Sequence, residues 1–100
     1  MDLPVTIPLS QPMTNAKGEK LEALTLRPPT AGDIRRCGYP FTLRGSDDNA
    51  EMVPNPGAVS LMISETAGVI ISEVDKMPIR DWNAAMFAIM SFFGGRPDQS

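Results

Sequence analysis

The chain changes from strand to helix within eleven residues, Leu24-Thr25-Leu26-Arg27-Pro28-Pro29-Thr30-Ala31-Gly32-Asp33-Ile34. Leu24 and Leu26 flank a polar residue at the period of a half-buried strand. Pro28 and Pro29 follow, and because proline has no backbone N–H to donate, the strand is expected to stop before them. The stretch is therefore a structural junction, and it carries no recognisable catalytic motif.

A helix start follows the two prolines. Thr30 stands where an N-cap residue is expected, and Asp33 comes three residues later, which is the spacing of a capping box with Asp in place of the usual Glu. Gly38 is placed to end the helix as its C′ residue. The pattern predicts a short helix within residues 30–38, and it favours a capping role for Asp33 over acid catalysis because no second convergent group is evident.

Residues 1–27 are predicted to form a β-hairpin, because apolar residues alternate with polar residues or proline on both arms. The turn falls on residues 15–18, whose sequence Asn-Ala-Lys-Gly is typical of hairpin turns. The first arm also carries three prolines that cannot donate to a ladder, so this strand is expected to lie at the edge of its sheet. These prolines are Pro4, Pro8 and Pro12.

The remaining chain is predicted to divide into a loop and a helical part. Residues 39–56 are rich in Gly, Pro and polar residues and are interpreted as an irregular loop with a polar centre at residues 45–49. Residues 57–95 are predicted to be helical and to end at a Gly-Gly pair. Residues 1–100 are thus expected to form a single α+β domain, with an N-terminal β-hairpin followed by three or four short α-helices.

The last predicted helix carries apolar residues three and four positions apart, which are expected to face inward. This inward set is Ile79, Trp82, Met86, Ile89 and Phe93. Phe87 and Phe92 lie off that face and, with Met90, are expected to contribute to self-association or to contact with another protein, a role that the adaptable methionine side chain suits. An ordinary place in the core is the simpler interpretation for most of the candidate surface residues. They are Trp82, Met86, Phe87, Met90, Phe92 and Phe93.

Composition argues against several classes of function. Nine basic and twelve acidic residues give a net charge of −3, and four arginines near the junction are more simply explained as solvated surface than as a basic patch. There is no histidine, and the single cysteine, Cys37, lacks a partner base, so no catalytic, cofactor-binding or metal site is predicted. No apolar N-terminal run resembles a signal peptide or a membrane span, which favours a cytosolic protein.

Several short segments share a pattern with a known group of proteins. The segments are Ile7-Pro8-Leu9-Ser10-Gln11-Pro12, Leu24-Thr25-Leu26-Arg27, Pro29-Thr30-Ala31-Gly32-Asp33, the run from Val59 to Gly68, Arg80-Asp81-Trp82 and Phe92-Phe93-Gly94-Gly95. In this order they resemble the Mu-like family of phage tail assembly chaperones. The string Pro-Thr-Ala-Gly-Asp is the most specific part of the resemblance.

The resemblance implies a binding protein and not an enzyme. Such a protein is expected in the host bacterial cytoplasm, where it binds the phage tape measure protein, keeps it soluble and helps the tail tube protein assemble, and it is expected to be absent from the mature virion. A homo-oligomer and a frameshifted longer form are also expected. The protein is not expected to bind a cofactor, nucleic acid or a membrane. The alternatives are a small structural tail or neck component retained in the virion and, less favoured because the chain is acidic, a small regulatory or nucleic-acid-binding domain.

Overall fold

The computed structural model describes residues 3–45 and 51–93. Within these residues the order of elements is β1 Val5–Thr14, β2 Lys20–Leu26, α1 Ala31–Cys37, β3 Phe41–Arg44, β4 Glu51–Pro54, α2 Pro56–Ala67, α3 Ile71–Asp75 and α4 Ile79–Phe93. The predicted α+β class is confirmed, with an N-terminal hairpin and four helices. A second small hairpin, β3–β4, separates the first helix from the others.

The N-terminal hairpin pairs β1 with β2 in antiparallel fashion, with Ile7 opposite Leu24. The register shifts between Pro8 and Met13, so the middle of β1 bends away from regular pairing. The turn forms where the sequence predicts it, because the side-chain oxygen of Asn15 accepts the backbone N–H groups of Lys17 and Glu19 at 2.9 Å each.

The inner face of this hairpin forms one wall of the hydrophobic core. Leu24 and Leu26 are fully buried, as the alternation in the junction predicts. They belong to one cluster with residues of α2 and α4. The helices therefore bury the apolar face of the hairpin, which two strands alone would leave in water. The fully buried members of this cluster in α2 and α4 are Val59, Met62, Ile63, Ala85 and Ile89.

The junction is held together by the buried carboxylate of Asp33. Its oxygens accept the backbone N–H of Thr30 at 2.8 Å, two guanidinium nitrogens of Arg27 at 2.7 and 3.1 Å, and one of Arg36 at 2.9 Å. The predicted capping role is therefore confirmed, and it is combined with two ion pairs. The hydrogen bonds from Arg27, and then those from Thr30, hold the pKa of Asp33 well below its usual range against the opposing effect of burial.

Residues 39–56 are not the irregular loop that their composition predicts, because β3 and β4 pair as an antiparallel hairpin. Pro40 and Pro54 lie at the ends of the ladder, where a missing donor costs little. The backbone N–H of Asn55 donates to the carbonyl of Pro40 at 2.8 Å and closes the base of the hairpin. The predicted polar centre beyond Gly45 lies outside the described residues, as does the predicted Gly-Gly end of the last helix.

The inward face of α4 matches the predicted one at Trp82, Met86, Ile89 and Phe93, which are buried or pack against the core, and differs at Ile79. Ile79 is 70% exposed, whereas Asp81 is buried beside β1. Both carboxylate oxygens of Asp81 accept the backbone N–H of Ser10, at 3.2 and 3.0 Å, and one also accepts the Ser10 hydroxyl at 3.0 Å. The buried face of α4 therefore also includes Asp81 and the small residues Ala85 and Ala88, and Asp81 attaches it to β1.

The outer edge of β1 is protected against further strand pairing. The two prolines of β1, Pro8 and Pro12, lack N–H groups, the Ser10 N–H is bound by Asp81, and the Thr14 N–H donates to the side chain of Glu73 in α3 at 3.1 Å. The hydrogen bond from Thr14 lowers the pKa of Glu73, with a smaller contribution from Lys76. Proteins commonly block edge strands with prolines and charged groups, and here the helices supply the carboxylates.

We predict that Asp33→Asn lowers the free energy of unfolding by about 2 kcal/mol at pH 7, the typical value of hydrogen bonds to a charged group. Because folding lowers the pKa of Asp33, this carboxylate stabilises the protein above its unfolded-state pKa of about 4, and the effect is lost as the pH falls toward the folded-state value. Urea unfolding of both proteins from pH 7 to pH 3 measures the difference, which should shrink at acid pH. Asp75→Asn, at an exposed position, is the control, and an equally stable Asp33→Asn protein would contradict the account.

We also predict that Asp81→Ala destabilises the protein by about 1–2 kcal/mol, because two polar groups of Ser10 lose their acceptor. Exposed Asn83, on the same helix, provides the control Asn83→Ala, which should change the free energy of unfolding by less than about 0.5 kcal/mol. Chemical denaturation distinguishes the two variants. Equal stabilities for Asp81→Ala and the wild type would show that the contact with Ser10 does not hold the hairpin on α4.

Candidate functional site

Four of the six candidate surface residues border the core in the structure. Met86 is buried, while Trp82, Met90 and Phe93 are half-buried and pack against the core cluster. The indole nitrogen of Trp82 donates to the hydroxyl of Ser60 at 2.9 Å and so links α4 to α2. These four side chains stabilise the fold, and only their outer edges are available to a partner.

Phe87 is the candidate residue whose side chain remains mostly exposed in the structure. It is 59% exposed and shares the outer face of α4 with exposed Arg80, Asn83 and Ser91, as expected for a residue off the inward face. Phe92 is half-buried, and at 100° per residue it lies about 140° away from Phe87 around the helix. The six candidate residues therefore do not form one continuous surface.

An aromatic cluster joins the second hairpin to the end of α4. The ring of Phe93 makes edge-to-face contacts with Tyr39 and Phe41, with ring centroids 5.3 and 6.1 Å apart. Phe41 is buried and anchors the hairpin, whereas Tyr39 remains largely exposed. Phe93 thus positions β3 and β4, a role that its place in the chain does not reveal.

A groove of about 460 Å³ opens between α2, α3 and α4. Its lining is mainly apolar, and Ile79 stands at its margin with most of its side chain uncovered. The sequence pattern misses this groove because it predicts that Ile79 faces inward. We call this the α3–α4 groove. Its lining residues are Pro56, Ser60, Val74, Asp75, Met77, Ile79 and Trp82.

Two of the four arginines near the junction form ion pairs that serve the fold. Arg27 and Arg36 both bind Asp33, and Arg36 also reaches Glu65 at 3.2 Å. Cys37 is half-buried, and this burial raises the pKa of its thiol, which disfavours the reactive thiolate. Within residues 3–45 and 51–93, no cluster of Cys, Asp and Glu side chains is arranged to hold a metal ion.

The helices are also too short or too polar to span a bilayer, as far as the described residues show.

Residues 6–94 match the family model described as "Phage tail assembly chaperone proteins, E, or 41 or 14". The match includes the first hairpin, the junction, the second hairpin and all four helices. No curated protein and no solved structure matches the chain.

We predict that Phe87→Ser changes the free energy of unfolding by less than about 1 kcal/mol, because most of its side chain already contacts solvent. Ile89→Ser, two residues further along α4 and fully buried, should cost about 3 kcal/mol or more. Thermal and urea unfolding of the two variants provide the comparison. A Phe87→Ser protein as unstable as Ile89→Ser would place Phe87 in the core and remove it from the candidate surface.

Proposed function

The chain belongs to the phage tail assembly chaperone family, and we propose that it binds the tape measure protein of its phage, keeps that protein soluble and assists assembly of the tail tube. The family match over residues 6–94 is the observation that carries this proposal, since it extends across both hairpins and all four helices. We also propose that residues 1–100 act as a single domain and that the protein works by binding and not by catalysis.

The exposed apolar side chains of the helical half support a binding role. Phe87 and Ile79 both leave more than half of their side chains in water, on a helix that is otherwise well packed. Covering apolar surface contributes about 25 cal/mol per Å², so a partner that covers these side chains gains affinity with little change in the fold. A helix with an apolar face is the partner that such a surface accommodates best, because it can lay that face along α4.

We also propose that the protein acts in the host bacterial cytoplasm during tail assembly and is absent from the mature virion. We propose that the protein self-associates through the same apolar side chains. We also propose that a frameshifted longer form contacts the tail tube protein. Mass spectrometry of purified virions tests the alternative of a structural tail or neck component. Finding this chain at a fixed copy number in the particle would favour that alternative.

The decisive experiment is co-expression of this chain with the tape measure protein encoded by the same phage. We expect the chain to increase the soluble fraction of the tape measure protein and to be recovered with it in a pull-down. Phe87→Ser should reduce recovery several-fold by removing exposed apolar area, and Asn83→Ser on the same helix face should not. If the wild-type chain neither binds nor solubilises the tape measure protein, the proposed function is wrong.

A further inference from the structure

The α3–α4 groove is bordered by an aliphatic side chain that the core does not cover. Val74 is fully buried at the base of the groove, and half-buried Met77 and Trp82 form its sides. Ile79 begins α4 at the margin of the groove and is 70% exposed, although isoleucine is among the residue types most often buried. One face of the protein therefore offers both a groove of about 460 Å³ and a side chain of the right kind to enter one.

Opposite charges lie on the two sides of Ile79. At 100° per residue, Trp82 turns about 60° from Ile79 toward the groove, and Arg80 turns about 100° the other way. Arg80 accordingly lines a different cleft, beside β1, whereas Asp75 is the charged residue in the lining of the groove. Both side chains are exposed, and neither forms a salt bridge with any residue that the structure describes.

This order of features is complementary to itself. Across the surface, Asp75 and the groove come first, then Ile79, and finally Arg80. A two-fold axis at the margin of the groove reverses the order in a second copy. Each Ile79 then meets the groove of the other copy, and each Arg80 meets the partner's Asp75. Two-fold dimers are the commonest homo-oligomers, and they require a surface that fits an identical surface in this way.

Further exposed apolar residues surround the groove. Ile71 lies four positions before Asp75, so the two side chains share one face of α3. Ile70 and Leu61, which follow and line α2 next to groove residue Ser60, are exposed as well. A second copy presents the same apolar residues in return, so the rim of the interface excludes water and strengthens the attraction between the charges inside it.

We propose that two copies of this chain form a two-fold dimer through the α3–α4 groove, with Ile79 of each copy in the groove of the other and reciprocal ion pairs between Arg80 and the partner's Asp75. This inference rests on the self-association in the proposed function and names its interface. Phe87 lies seven residues beyond Arg80, about 10 Å further along α4, so it stays available to the tape measure protein. Apolar contacts supply most of the affinity, and the ion pairs fix the orientation and weaken as salt increases.

Sedimentation equilibrium of the full chain measures the dissociation constant of the dimer. We expect Ile79→Ser to raise this Kd about tenfold, because it removes the side chain that fills the groove. Leu43→Ser is the matched control, since Leu43 is 69% exposed and lies on β3 outside the groove, and it should leave Kd within about twofold. Circular dichroism verifies that each variant is folded.

A charge exchange tests the orientation of the two copies. Asp75→Lys and Arg80→Glu each place like charges against each other, so each variant alone should dimerise about tenfold more weakly than the wild type. An equimolar mixture of the two variants should form a heterodimer, because both contacts then join opposite charges. Arg35→Glu, at an exposed position of α1, changes the net charge as Arg80→Glu does and should leave Kd within about twofold.

Several outcomes would overturn this dimer. One is a wild-type chain that stays monomeric at every concentration measured, and the proposed function still stands if that chain binds and solubilises the tape measure protein. Another is growth beyond a dimer as concentration increases, because a two-fold interface is closed. A third is a dimer that Ile79→Ser and the charge variants weaken no more than the controls do. An intact dimer that fails to bind the tape measure protein supports the interface and contradicts the proposed client.

Discussion

The buried carboxylate of Asp33 is the interaction on which the rest of the structure depends. It binds Arg27 at the end of the first hairpin and Arg36 in the first helix, and Arg36 in turn reaches Glu65 in α2. Because both arginine side chains are partly exposed, they give up only part of their hydration when they pair with the buried carboxylate, which moderates the cost of the ion pairs. The backbone N–H of Arg27 also donates to the carbonyl of Thr66 at 3.1 Å. One charged group thus sets the position of the hairpin relative to the helices.

Two further carboxylates complete the attachment of the hairpin and determine which surface remains open. Asp81 and Glu73 bind the edge of β1 from α4 and α3. Asp81 and Ile79 lie two positions apart, so they point about 160° away from each other around the helix. The contact that holds Asp81 against the hairpin therefore turns Ile79 outward. The α3–α4 groove is a geometric consequence of the way the hairpin is attached.

The parts of the fold that local chemistry determines could be predicted from the sequence. The two prolines after Leu26 end the strand, and Thr30 with Asp33 starts the helix, as the structure confirms. The second hairpin could not be recognised, because prolines normally argue against strands and these lie at its ends. The alternation of Phe41 and Leu43 ahead of the polar segment was the one local signal for it.

The inward face of α4 and the groove depend on contacts that are distant in sequence. Asp81 pairs with Ser10, 71 residues earlier, and a carboxylate in an otherwise apolar pattern gives no sign of such a partner. The period of the large apolar residues predicted Met86 and Ile89 correctly as core residues, but it also favoured Ile79, which is exposed. Phe87 could be identified because its exposure follows from helix geometry alone. The groove requires the packing of three helices, which one sequence does not specify.

The Asp33 junction supports the fold, and we propose that the exposed apolar side chains of α4 contact the tape measure protein. Hydrogen–deuterium exchange of the chain, free and bound to the tape measure protein, measures both regions in one experiment. We expect slower exchange on binding in residues 79–93 and little change in residues 24–36. Protection confined to the junction or to the first hairpin, with unchanged exchange in residues 79–93, would show that the tape measure protein does not bind at α4.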